Sequence, residues 1–352
     1  MNFKKLNQYL IGAFILCVLT MVGLNYLYDP LHVFAPPQGS DTYDRQARYG
    51  HVGTVRHTDV GDVYVGSSVF QDLDPSVYKD FTGRNMTRIP VPGATPSELY
   101  TVLNALLSRH SNTLGRVVIG MDFFVWAEHD KGLDESVFPA SFYDKGALSE
   151  LEYVASYKTF SRLLRLIPDY YFLSDRSRTK ETLYRATYKH DVGKDEVFSH
   201  ACRILDKKKR QIDGLSLANF MNNFDQYLKP LLRQYRDVEF ALMLPTYSIL
   251  EYAQYNAEGK MLEFLQFREV ISSIAEQSGN VKIIDAQGDI AISKQLDLFH
   301  DAMHGGQVIL DTMARRPIIL EQDIYYDNSR RLYEATLKDG KRAYNEMRNR
   351  CL

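Results

Sequence analysis

Four short runs constrain this chain more than anything else in it: "DVYVG" (62–66), "RVVIGMDFF" (116–124), "DVEFALMLP" (237–245) and "VKIID" (281–285). Each is apolar at consecutive positions rather than at alternate ones. An extended segment sends successive side chains to opposite faces, so a run that is apolar throughout buries both of them. A fifth run lies in "NMTRIPVPG" (85–93), which stops at Pro90, Pro92 and Gly93. Amphipathic stretches alternate with these strands. "TPSELYTVLNALLSRH" (95–110) places Pro96 in its first turn with Ser97 and Glu98 behind it, and "KMLEFLQFREVISSIAEQS" (260–278) follows the fourth strand. The alternation predicts an α/β fold around a parallel sheet covered on both faces. Residues 61–325 make up that domain. Residues from about 150 to 229, mostly helical and polar, read as an insertion between its third and fourth strands. Residues 326–352 read as a charged helical tail broken at Gly340.

The N-terminus adds a second constraint. "LNQYLIGAFILCVLTMVGLNYLY" (6–28) carries no charge and is long enough to cross a hydrocarbon core, which takes ~20 residues. Lys4 and Lys5 precede it and Asp29 follows. The positive-inside rule then leaves the N-terminus in the cytoplasm and exports the rest. Residues 1–28 are therefore expected to be a cytoplasmic stub and a single transmembrane anchor, and 29–60 a linker. No small-x-small cleavage site follows the apolar run, and Leu16 before Cys17 does not suit a lipoprotein site. A bacterial inner-membrane protein with its main domain in the periplasm fits these features.

The formal net charge of −2 provides no global basic field for nucleic acid. Cys17, Cys202 and Cys351 are scattered without metal or redox spacing, and a disulfide framework is not expected. No metal and no cofactor is expected either. The 24 tyrosines and 18 phenylalanines suit a well-filled core.

Parallel sheets of this kind bind ligands beyond the carboxyl ends of their strands. The first strand ends on Gly66-Ser67-Ser68, the second on Pro92-Gly93-Ala94 and the third on Gly120-Met121-Asp122. Beyond the fifth comes "LDLFHDAMHGGQVIL" (296–310), with two aspartates and two histidines in eight residues. A serine needs a base to act as a nucleophile, and the base needs a partner to hold its tautomer and its charge. An Asp-x-x-His unit supplies both from one turn of chain. A Gly-rich loop with a Lys-Ser/Thr pair is absent after Gly66, which argues against a phosphate site there.

These pieces, in this order, resemble the SGNH/GDSL hydrolase superfamily. The segments that carry the resemblance are Gly66-Ser67-Ser68, "PVPGATPSELY", "VVIGMDFF" and the closing Asp-x-x-His. The membrane-anchored envelope members, which serve alginate O-acetylation and D-alanyl transfer to teichoic acids, are the most similar in plan. The resemblance implies a flavodoxin-like three-layer sandwich. It implies Ser68 as nucleophile, with the backbone N–H groups of Ser68 and Gly93 as oxyanion donors. Asp301 and His304 match the acid/base pair, with Asp297 and His300 as an alternative pair. Ser67 and Asp122 fall behind the site. Asp122 stands where many members carry Asn, and a carboxylate opposes an oxyanion. The implied activity is serine-dependent hydrolysis or transfer of acyl esters. The implied partners are an acylated polysaccharide or acyl carrier and a membrane-bound O-acyltransferase. A different reading remains open: a non-catalytic scaffold or glycan-binding subunit of the same fold. In that case the "DKKKRQ" run (206–211) would be a docking surface rather than a solvated helix face.

Overall fold

Strands β1 (Gly61–Gly66), β2 (Met86–Pro90), β3 (Leu114–Gly120), β4 (Glu239–Leu244) and β5 (Val281–Asp285) form one sheet. Its order is β2-β1-β3-β4-β5, and all four pairings are parallel. The computed structural model describes residues 3–36, 46–58, 61–171, 192–316 and 322–351. The chain leaves β1 for β2 on one side, then returns across β1 to β3 on the other. The carboxyl ends of β1 and β3 therefore flank the point where the winding direction reverses, which is where open α/β sheets leave a crevice.

The sheet is buried because its strands are apolar on both faces. Val63, Tyr64, Val65, Val117, Ile119, Phe240, Ala241 and Leu242 have almost no exposed surface. Helices supply the cover. The helix Pro96–His110 begins with Pro96 at its first position and a reciprocal cap, Thr95 accepting from the Glu98 N–H while Glu98 accepts from the Thr95 N–H. The helix Met261–Gln277 buries Phe264 and Phe267 against Phe123, Tyr252 and Tyr255 in one cluster of edge-to-face and tilted rings. Each such ring removed from water contributes about 1.5–3 kcal/mol, so this cluster absorbs part of the unusual aromatic content.

The chain divides into two compact units. One is Asp59–Leu133 with Arg185–Leu352 and contains the sheet. The expected tail is an integral part of it. Helices Gln322–Ala335 and Lys341–Cys351 are joined through a π-helical turn, Thr336–Gly340, rather than by a break. Gly340 serves close approach: a Cβ there would lie 3.2 Å from the Ala253 Cβ and 3.3 Å from the Ile249 carbonyl oxygen. The absence of a disulfide, expected from cysteine spacing, is also corrected. Cys202 and Cys351 are bonded to each other across 149 residues, and they join the helix Lys194–Asp213 to the C-terminal helix. Spacing along the chain could not show this, because the pairing is made by two helices that meet only in the fold.

The other unit is Met1–Thr58 with Asp134–Tyr184. Its first element is the helix Phe3–Tyr28, 26 residues long and exposed over most of its length. It is long and apolar enough to cross a membrane. Asp29, in a left-handed conformation, ends it, and its carboxylate accepts from the N–H groups of Val33, Phe34 and Ala35. The stretch 29–60, expected as a linker, contains a packed helix, Ala47–Arg56, with eight buried residues. Gly53 makes this possible. A Cβ at that position would meet His32 Cβ at 2.5 Å and the Leu31 carbonyl oxygen at 2.7 Å. The helical segment expected as one insertion is shared: Ala147–Ala155 and Tyr157–Tyr171 belong to this unit, and Lys194–Asp213 and Leu217–Asn223 to the first.

Candidate active site

The residue that ends β1 is a glycine because of what lies beneath it. The Tyr64 hydroxyl would be 2.1 Å from a Cβ on Gly66 and 2.4 Å from one on Gly120, so both neighbouring strands must end in glycine. Ser67 then turns the chain. Its buried hydroxyl accepts from the Val69 N–H at 3.2 Å and starts a single 3₁₀ turn, Ser68–Phe70. Ser68 is the first residue of that turn and is half-buried, between the buried Ser67 and Val69.

The Ser68 Oγ lies 2.9 Å from the His304 Nε2, across 236 residues of sequence. The other ring nitrogen, Nδ1, lies 2.8 Å from Asp301 Oδ2 and 3.0 Å from Oδ1. A carboxylate only accepts, so Nδ1 carries the proton and Nε2 presents a lone pair to the serine hydroxyl. Asp301 is itself fixed: Oδ1 accepts from the N–H groups of Met303 and His304, both at 2.8 Å. This tight turn is the physical reason the two residues are three apart.

The segment is closed and clamped around these groups. Phe299 bridges Gly305, the His300 N–H donates to the His304 carbonyl, and the Gly306 N–H donates to the Leu298 carbonyl. Ser248, just beyond β4, gives the Ala302 carbonyl both its N–H (3.0 Å) and its hydroxyl (2.8 Å). The Lys208 Nζ lies 3.3 Å from the Met303 sulfur and 2.6 Å from Glu251 Oε1. That ion pair is buried, with 4 % and 0 % of the two side chains exposed.

The electrostatics follow the geometry. Burial opposes charge on Asp301, but the adjoining His304, in Coulombic and hydrogen-bond contact, and two backbone N–H groups hold its carboxyl well below the ordinary range. Burial likewise opposes charge on His304. Asp301, and to a lesser degree Asp122, outweigh it and raise the imidazole above its ordinary value, with Lys208 acting in the other direction. Asp122, directly after β3, is fully buried, and burial pushes it up to about 6 against hydrogen bonds from Ser67 and Tyr247. The Tyr247 hydroxyl donates to it at 2.8 Å. Asp122 has no exposed surface, but it is near enough to His304 to raise it, so its charge still bears on the relay.

Gly93 stands past the end of β2, the strand next to β1. It takes a left-handed φ of 63° in a turn closed by the Ala94 N–H to the Val91 carbonyl at 3.0 Å. The alternative pair goes elsewhere. Asp297 is exposed and accepts from the Lys194 N–H at 3.0 Å, where the helix Lys194–Asp213 begins. His304, rather than His300, carries the nitrogen within bonding distance of Ser68. Among the described residues, no group of three His, Cys, Asp or Glu side chains is placed to hold a metal ion.

Glu251, Ser248, Tyr247 and Tyr64 were not singled out by sequence reasoning, and Lys208 was only as part of the DKKKRQ run. For Lys208 a signal existed. Val197, Ala201 and Ile212 form the buried stripe of its helix, and Lys208 falls on that stripe while Lys207, Lys209 and Arg210 face solvent. No protein-family model and no curated protein matches this chain.

Proposed function

We propose that this protein is a membrane-anchored serine hydrolase or O-acyltransferase of the SGNH/GDSL kind. It would act on acyl esters, foremost acetyl, of an envelope or exported polysaccharide. The observation that carries this reading is the continuous relay Ser68–His304–Asp301 at the carboxyl end of the sheet. The strand order 2-1-3-4-5 is that of flavodoxin-like sandwiches, which supports the three-layer architecture the resemblance implies.

In the proposed reaction, Ser68 Oγ attacks the ester carbonyl carbon while His304 Nε2 takes its proton. The negative charge moves to the carbonyl oxygen, where the backbone N–H groups of Ser68 and Gly93 are the donors. The tetrahedral centre collapses, the ester C–O bond breaks, and His304 returns the proton to the departing alcohol. Water or a sugar hydroxyl then attacks the acyl-serine with His304 as base again; the bond from the acyl carbon to Ser68 Oγ breaks, and His304 returns the proton to Ser68 Oγ. Water gives an esterase and a sugar gives a transferase. Asp301 holds the tautomer and stabilises the imidazolium.

The cellular setting is part of the same proposal. The apolar helix Phe3–Tyr28 anchors the chain, and Lys4 and Lys5 keep its start in the cytoplasm. The Cys202–Cys351 bond suits an oxidising compartment such as the periplasm. A membrane-bound O-acyltransferase as partner rests on the resemblance.

The test is fluorophosphonate labelling of the full-length protein in detergent. Wild type and His300→Ala are expected to label; Ser68→Ala and His304→Ala are not. A folded wild type that does not label refutes the autonomous enzyme and favours the non-catalytic scaffold.

A further inference from the structure

The helices Ala147–Ala155 and Tyr157–Tyr171 both pack against the helix Phe3–Tyr28 within one unit. The place of contact is defined. Asn25, fully buried, donates from Nδ2 to the carbonyls of Val154 (2.8 Å) and Ser156 (3.1 Å), and burial on the long helix begins only at Met21. From Leu10 to Thr20 the helix is exposed throughout and carries no charge.

A helix of 26 residues is about 39 Å long at 1.5 Å per residue, against about 30 Å of hydrocarbon. The excess of about 9 Å puts the ends of the helix in the headgroup layers, and Asn25 lies three residues before its C-terminal end. Tyr26, Tyr28 and Phe34 are exposed beside it, in the manner of an interfacial aromatic belt. The two docked helices are held at the same depth.

Their outward faces are apolar. Leu148 is 85 % exposed, Leu151 62 %, Tyr157 72 % and Leu164 49 %. Leu148 and Leu151 are three apart on one helix, and Tyr157 and Leu164 are seven apart on the next, so each pair shares a face. Lys158 and Arg165 are exposed one position along from Tyr157 and Leu164, at the flank of that face. On this second helix, large apolar residues at the centre and basic ones at the edge are the pattern of a helix lying in a lipid interface; on the first, the acidic Glu152 is exposed beside Leu151. The buried side of the same helices is fully engaged: Tyr153 bonds Asp29, and Leu163 and Leu166 are covered.

We propose that Leu148, Leu151, Tyr157 and Leu164 form a second membrane contact, seated in the headgroup region of the same bilayer that Phe3–Tyr28 spans. The occupant is phospholipid, and the argument is continuity: the two helices that carry these exposed faces pack on the long helix, and Asn25, three residues before its end, bonds the Val154 and Ser156 carbonyls where they meet. The proposal rests on the reading of that helix as an anchor.

The experiment uses full-length protein in vesicles of phosphatidylethanolamine and phosphatidylglycerol. Cys17, the free exposed cysteine, is first replaced by serine, and the bonded Cys202 and Cys351 stay silent. An environment-sensitive fluorophore is then placed singly through Leu148→Cys, Leu151→Cys, Tyr157→Cys and Leu164→Cys. Each is expected to be quenched by lipid carrying a nitroxide near its headgroup and to lose most of its quenching by aqueous iodide. Leu16→Cys reports on the anchor separately, through a nitroxide deep in the acyl chain. Labels at the four positions as open to iodide as free dye, with Leu16 still quenched from within the bilayer, overturn the proposal. No deep quenching at Leu16 overturns the anchor reading instead. Labels that are open in vesicles but covered in native membranes identify a protein occupant and also overturn it.

Discussion

Replacing Asp301 with Asn tests the relay more sharply than removing the serine. Asp301 Oδ1 already accepts two backbone N–H groups, from Met303 and His304, at 2.8 Å each. Only the oxygen of an asparagine can take that place. Its NH₂ group must then occupy the Oδ2 position, 2.8 Å from His304 Nδ1. An NH₂ there donates to Nδ1 and favours the ring proton on Nε2, against the longer 3.0 Å contact that the oxygen in the Oδ1 place keeps with Nδ1. The nitrogen facing Ser68 would then carry a hydrogen and could not accept the serine proton. Volume and fold are preserved, while the tautomer is reversed. The expected loss is about 10³–10⁴-fold in the rate of fluorophosphonate labelling, or roughly 4–5.5 kcal/mol in the barrier. The assay is the second-order labelling rate of full-length Asp301→Asn against wild type, with circular dichroism confirming equal folding. A variant within tenfold of wild type would refute the reasoning, because it would mean that Nδ1 does not depend on an accepting carboxylate.

The other predictions concern pH, charge and the disulfide. Labelling requires neutral His304, whose titration is raised, so the rate should fall with acid through a midpoint above 6.5, as a pH–rate profile would show. The stability from protonated His304 has the complementary sense: present below about 6.5, and lost as pH rises through the raised folded midpoint, as urea unfolding across that window would reveal. Glu251→Gln leaves a buried ammonium beside Met303; it should destabilise by about 3–5 kcal/mol in urea and move the labelling midpoint down, since the uncompensated charge disfavours the imidazolium. Cys202→Ser with Cys351→Ser opens a link across 149 residues and should cost about 5 kcal/mol, seen as a lower thermal midpoint only when wild type is kept oxidised.

Much of the sheet was legible because its cause is local. Consecutive β-branched residues such as Val117, Val118 and Ile119, in a short run that ends at Gly120, read as an all-buried strand, and Thr95, Pro96 and Glu98 mark a helix start within four residues. The strands came out close to their observed places, except that the third, read as 116–124, ends at Gly120, where Phe123 and Phe124 turn into a short helix. The closing turn was legible for the same reason, since Asp301 reaches His304 within one turn of chain. Choosing between Asp301/His304 and Asp297/His300 was not, because both spacings are equal and only the approach of Ser68 separates them. Asp122 looked like a misplaced charge; burial beside Ser67 and Tyr247 changes what it is electrically.

By itself, then, the sequence determined the class of sheet, the apolar N-terminal helix and the residue types at the strand ends. These depend on periodicity and on neighbours a few positions away. The tertiary structure decided which histidine faces Ser68, that Lys208 turns inward to Glu251, that Cys202 meets Cys351, and that Gly66 and Gly120 yield to the Tyr64 hydroxyl. Each of these joins groups distant along the chain, and no local pattern encodes the meeting of two surfaces that only packing brings together.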